Sequence, residues 1–127
     1  MKALSLTVLR PTLAVARLPA ADGLPWWAAG SGFLSLTRTE EETSVVCEAR
    51  LVPGDARCEG GLRALRVDGT LDFQETGILA SLTTPLAAAV VPVFALSTFD
   101  TDYILVAESR LVEAVEALRK AGHSVTE

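Results

Sequence analysis

The chain reads as an α+β protein, with a ferredoxin-like β-α-β-β-α-β unit from about Arg63 to the C-terminus and a mostly β stretch before it. Three observations predict this. The first sixty or so residues repeat in apolar/polar alternation broken by turn residues. Beyond Gly60-Gly61 the rhythm switches between strand-like alternation and helical spacing. The resulting order of elements is that of the split β-α-β unit.

Taken in order, Leu4, Leu6 and Val8 alternate with Ser5 and Thr7, and Leu13, Val15 and Leu18 resume after Arg10-Pro11-Thr12. That predicts a hairpin or two neighbouring strands. Asp22-Gly23-Leu24-Pro25 is a turn, followed by Trp26-Trp27, of which one ring is expected in the core and the other on the surface. Phe33 to Thr37 and Ser44 to Cys47 are two further strands around the acidic run Glu40-Glu41-Glu42. Pro53-Gly54-Asp55 opens a polar segment that ends at Gly60-Gly61, the expected boundary between the halves.

In the second half, Arg63 to Asp68 alternates as a strand. Thr76 is the expected N-cap of a helix carrying Ile78, Leu79, Leu82 and Leu86 on one face. Pro85 must bend or interrupt that helix, because it has no N–H to give the Ser81 carbonyl. Val90 to Leu96 reads as a buried strand and Tyr103 to Val106 as the next. Ser109 then caps an amphipathic helix with Leu111, Val112, Val115 and Leu118 inward, Gly122 stops it, and His123 to Val125 is a short closing strand.

Composition narrows the function. The chain has 127 residues and a net charge of −5, with no basic cluster, which argues against nucleic acid as a partner. The apolar run Leu86 to Leu96 is too short to cross a membrane, and Arg10-Pro11 cuts off any signal-peptide core. Cys47 and Cys58 are expected to be reduced thiols in a cytoplasmic protein.

One internal echo stands out. Leu36 to Val46 lies without gaps over Leu96 to Val106 at an offset of 60, both strand, hydroxyl-rich acidic turn, strand, with Glu42 over Asp102. Duplication explains this, and so does the general likeness of strand-turn-strand segments.

The chemistry centres on Ser97-Thr98-Phe99-Asp100-Thr101-Asp102. Asp100 and Asp102 fit ordinary turn chemistry, ligand binding, a divalent-metal site or an acid/base pair. No third carboxylate follows at the usual metal spacing and no nucleophile lies nearby. His123, the only histidine, reads as a partly exposed edge residue, and no nucleophile elbow is present. Gly77 leaves backbone amides open at a helix start, a site suited to a carboxylate. A helix start and an acidic turn together match the two charges of an α-amino acid.

Gly77-Ile78-Leu79-Ala80-Ser81-Leu82, the strand ending Phe94-Ala95-Leu96-Ser97-Thr98 and the run Asp100 to Val106 resemble the ACT domain. Pro25-Trp26, Thr37-Arg38-Thr39, Glu42 and Ser44 to Cys47 extend the likeness to small bacterial ACT proteins related to aspartate kinase regulatory domains and cytosolic arginine sensors. The resemblance implies a degenerate ACT-like lobe at residues 1–60 and an ACT domain at 61–127. It implies a non-enzymatic sensor that binds an amino acid or similar small ligand without cofactor or metal, with the ligand at the interface of the two lobes or at that of a homodimer. Gly77, Ile78 and Leu79 would meet the ligand carboxylate, and Ser97, Thr98, Asp100, Thr101 and Asp102 its amino group or side chain. The rival reading is a ligand-free dimerisation or protein-interaction module acting on an amino-acid metabolic enzyme.

Overall fold

A computed structural model describes residues 2–127. The chain divides into two compact units, one holding the stretch up to Arg10 together with Arg63–Glu127 and the other holding Pro11–Leu62. The first ten residues, read from the sequence as the start of an N-terminal lobe, therefore belong with the C-terminal unit.

The discontinuous unit contains β1 (Ser5–Val8), the second half of β5 (Cys58–Val67), α1 (Ile78–Ala88), β6 (Phe94–Ser97), β7 (Asp102–Ala107), α2 (Leu111–Lys120) and β8 (Ser124–Thr126). Its strand order is β6-β7-β5-β1-β8. The strand β1 runs antiparallel to β5, with Leu6 opposite Val67, and parallel to β8, with Leu6 opposite Val125. Removing β1 leaves the order expected of a ferredoxin-like unit. The expected hairpin between residues 4–9 and 13–18 does not form. Strands β5 and β8 flank β1 on its two sides, so it is an extra, internal strand of this unit.

Its core is continuous. Leu6, Leu65, Val67, Leu82, Leu86, Ile104, Val106, Ala114, Val115 and Leu118 are buried together. The helix α2 contributes Ala114, Val115 and Leu118 at the spacing of one face and leaves Glu113, Glu116, Arg119 and Lys120 outside. A 3-10 turn at Glu108–Arg110 precedes it, so the helix starts from Arg110 and not from a Ser109 cap.

The helix α1 holds Pro85 internally, and the structure shows how the broken bond is replaced. His123 is buried, at 6% exposure, with Nε2 3.0 Å from the Ser81 carbonyl that Pro85 cannot serve. Its Nδ1 accepts the Leu4 N–H at 3.0 Å, so Nε2 must carry the proton and donate to Ser81. The expected edge residue is thus an internal clasp between β1, α1 and β8. The far end of α1 closes with Val90 N–H on the Ala87 carbonyl and Val91 N–H on the Leu86 carbonyl. Val90 sits at φ 60, a position where glycine is the usual occupant, and its side chain is exposed. The predicted buried strand from Val90 is accordingly only Phe94–Ser97, and it lies exposed at an edge.

The Pro11–Leu62 unit holds β2 (Leu13–Leu18), β3 (Ser35–Arg38), β4 (Thr43–Glu48) and the first part of β5, in the order β3-β4-β2-β5. Gly60 and Gly61, expected to separate the halves, lie inside β5, where Gly61 takes φ 65 and the register against β2 shifts. Ala28, Val45 and Cys47 form its small core, with Trp27 packed against it and Trp26 86% exposed, as the sequence predicts for the pair. Short 3-10 turns at Trp26–Ala28 and Ala49–Leu51 stand where the other unit has helices.

Both cysteines are free thiols. Cys47 faces Ala14 and Cys58 faces Ala16 across the two edges of β2. Two strand spacings, roughly 9.5 Å, exceed the reach of a disulfide. Burial raises the Cys47 thiol above its ordinary value, which keeps it protonated and unreactive.

Candidate functional site

Within the discontinuous unit, two connections face one another. The loop from Leu71 to Gly77 leads into α1, and residues 98–101 join β6 to β7. The β6–β7 hairpin closes with Ser97 opposite Asp102. Inside the turn, Thr98 N–H donates to the Thr101 carbonyl at 2.8 Å, and Thr101 N–H donates to Thr98 Oγ1 at 3.2 Å. A threonine at the start of such a turn satisfies the backbone that the tight reversal would leave open.

Two bonds tie the turn to the rest of the unit. Thr101 Oγ1 donates to the Val67 carbonyl at the end of β5, at 2.6 Å. Leu71 N–H donates to the Asp100 carbonyl at 2.7 Å. Between the two connections lies an open cavity of about 170 Å³, lined by Leu71, Asp72, Phe73, Glu75 and Ile78 on one side and by residues 97–102 on the other.

The cavity lining carries four carboxylates, Asp72, Glu75, Asp100 and Asp102, and no basic side chain. Lys2 reaches Glu75 from outside the lining at 3.2 Å. Asp102 accepts the Ser97 hydroxyl at 2.7 Å, and Asp72 accepts the Gln74 N–H at 2.8 Å. At the cavity, Phe73 and Phe99 meet edge to face with ring centroids 5.2 Å apart, although each is more than 70% exposed. The lining has no histidine, cysteine or lysine. Among the described residues, no group of three or more side chains is placed to hold a metal ion.

Of the residues singled out from sequence, Ile78, Ser97, Thr98, Asp100, Thr101 and Asp102 line this cavity. Gly77 is the residue before α1, at φ 80, and supplies no side-chain cap. It takes the place expected of Thr76, because a left-handed backbone is open to glycine and costly for threonine. The first intrahelical bond is Ser81 N–H to the Gly77 carbonyl, so the Ile78, Leu79 and Ala80 amides have no acceptor within the helix. Leu79 packs against the core instead of lining the cavity. Sequence reasoning missed Asp72, Phe73 and Glu75. Their signal was a polar, aromatic segment between Gly69 and Gly77 that matched neither strand nor helix.

The internal echo is real in structure but shifted by one. Ser35 stands where Phe94 does, Thr43 where Asp102 does and Ala49 where Glu108 does, each pair 59 positions apart. Thr39 N–H donates to the Glu42 carbonyl at 2.9 Å and Glu42 N–H to Thr39 Oγ1 at 3.2 Å, the same pair of bonds as at Thr98 and Thr101. Glu42 therefore corresponds to Thr101, and the counterpart of Asp102 is Thr43.

Comparison with known proteins agrees with this geometry. The family model of the ACT domain matches residues 57–120, and a second model, of an N-terminal domain, matches residues 12–55. The chain is 33% identical over 109 residues to the Bos taurus cytosolic arginine sensor for mTORC1 subunit 1, covering 80% of this chain. It spans only about a third of that relative's length, 33%. An Agrobacterium tumefaciens protein solved by X-ray crystallography is 38% identical with a TM-score of 0.92, over 98% of this chain and 93% of that one. The regulatory subunit of aspartate kinase from Thermus flavus shares the fold at a TM-score of 0.68 and 9% identity, over 94% and 99% of the two chains. With two units of matching strand order, a repeated threonine turn and a family match across half its length, the chain belongs to the ACT domain family.

Proposed function

We propose that the protein is a non-enzymatic regulator that binds an amino acid in the cavity between the α1 entry and the 98–101 turn. The observation that carries this is the pairing of opposite electrostatic ends around one space. Four carboxylates line the cavity, and the first-turn amides of α1 beside it lack acceptors within the helix. Asp100 and Asp102 neutralise the ligand's cationic end, Thr98 hydrogen-bonds it, and the Gly77–Leu79 backbone holds its carboxylate. The surplus of negative charge favours a ligand with a second cation on its side chain, and the arginine sensor named among the relatives agrees with that choice. Binding orders the two loops and shifts a packing equilibrium that a partner reads.

A thermal-shift and calorimetric screen of the common amino acids tests this, with arginine and lysine expected to raise the melting temperature most. Asp102→Asn should remove the response while leaving the ligand-free melting point almost unchanged. A protein indifferent to every amino acid at millimolar concentration, yet dimeric on a sizing column, would favour the interaction module instead. The exposed edge strand β6 and the exposed Trp26 are the surfaces such a module would use.

A further inference from the structure

The last residue of the 98–101 turn does something other than meet a ligand. Thr101 lines the cavity but is only 6% exposed. Its hydroxyl proton goes to the Val67 carbonyl, its N–H goes to Thr98 Oγ1, and its carbonyl accepts the Thr98 N–H. Every proton Thr101 can donate is therefore committed within the protein. We infer that Thr101 is a positioning residue: with the Leu71-to-Asp100 bond, its hydroxyl fixes the distance between the two walls of the cavity.

The internal repeat separates this role from the making of the turn itself. At the matching position the other unit has Glu42, and its turn keeps the same two bonds with Thr39 although position 42 carries no hydroxyl. The backbone reversal thus does not need Thr101. What Thr101 adds is the tether to the end of β5, the strand from which the opposite wall departs. Asp100 and Asp102, on either side of it, inherit their placement from that tether. The inference rests on the binding reading for its consequence, though the tether itself belongs to the ligand-free protein.

Two variants and two measurements test it. Thr101→Val keeps the shape and removes the hydroxyl, and Thr101→Ser keeps the hydroxyl. In ligand-free protein, amide exchange at Leu71 and at residues 98–101 should quicken about tenfold in Thr101→Val, the scale of one lost hydrogen bond. Thr101→Ser should restore it, and amides of β7 and α2 should keep their protection throughout. With arginine as probe, Thr101→Val should weaken binding about tenfold and Thr101→Ser should not. Unchanged exchange at Leu71, or equal acceleration across the whole unit, overturns the tether. Altered exchange with unaltered arginine affinity overturns the positioning role. Should Thr101→Val fail to fold, Thr101→Ala offers the same loss of hydroxyl without the buried methyl crowding, read by the same exchange pattern. A wild-type protein that ignores arginine counts against the binding reading and leaves the exchange comparison to decide the tether.

Discussion

The two hairpins of this chain, β3–β4 and β6–β7, share length, register and turn bonds, yet their turns meet different surroundings. At the first, Thr43 is fully buried and its hydroxyl lies 3.3 and 3.1 Å from the Ala20 and Asp22 carbonyls. The loop leading out of β2 is folded onto the hairpin, and its own backbone satisfies the polar group there. At the second, Asp102 stands in the same place, half-buried and facing an open cavity. The connection that precedes each hairpin differs accordingly. Residues 19–34 hold only a 3-10 turn, whereas residues 68–93 hold α1 and the acidic, aromatic loop before it. One copy of the hairpin has been closed by its neighbour and the other left open. The two turns are alike in their own bonds, and what differs is the connection that faces each of them.

Four measurements would break or sharpen that contrast. The largest effect is expected at the clasp that holds the open unit together. His123→Ala leaves the buried Leu4 N–H and Ser81 carbonyl without partners and should cost about 3 kcal/mol in urea unfolding. Adding Pro85→Ala returns an N–H to the Ser81 carbonyl, so the double variant should recover about 1 kcal/mol relative to the sum of the single changes. Strict additivity would show that the histidine does not stand in for the missing helix bond.

Next, Thr43→Val should cost about 1–2 kcal/mol, because the Ala20 and Asp22 carbonyls lose the one hydroxyl proton they share. The matching change in the open unit, Asp102→Asn, should be nearly silent in stability. Equal costs at the two positions would remove the distinction between a closed and an open turn. Third, Val90→Gly should stabilise the protein by about 1 kcal/mol, seen as a higher melting temperature, because a β-branched residue is strained at φ 60.

The smallest effect concerns acid. The Gly32 N–H and the Arg50 side chain hold the Glu48 carboxyl below its ordinary value by bonding its ionised form. Its contribution is therefore present above about pH 4.3, the unfolded value, and fades as pH falls through the lower native value. Glu48→Gln should flatten the loss of stability in that acid window while leaving the slope near neutrality unchanged.

The physical reasons for what could be read from sequence differ by element. The helix α2 and the strands β2, β4 and β7 declared themselves because local periodicity and burial point the same way. The ferredoxin-like order followed from them. Local rules could not show that β1 pairs with β5 and β8, since those partners lie some sixty and more residues away and any alternating strand looks alike. His123 was misplaced because its environment depends on Pro85, far off in sequence and adjacent in space. At the site, the hydroxyl-acid turn was visible as composition. The opposing wall of Asp72, Phe73 and Glu75 was not, because an irregular loop has no period to recognise. The one-residue error in the echo arose from matching side chains, whereas the backbone hydrogen bonds fix the true register.

The placement of β1 has a consequence for how the chain is built. A strand made among the first ten residues finds both its neighbours, β5 and β8, only after the rest of the sequence exists. The open unit therefore cannot be completed until β8 has been made, whereas the strands paired within Pro11–Leu62 lie near one another in sequence. A fragment starting at Arg63 would carry the complete cavity lining and every helix, yet lack the strand that bridges β5 to β8 and the amide that His123 holds.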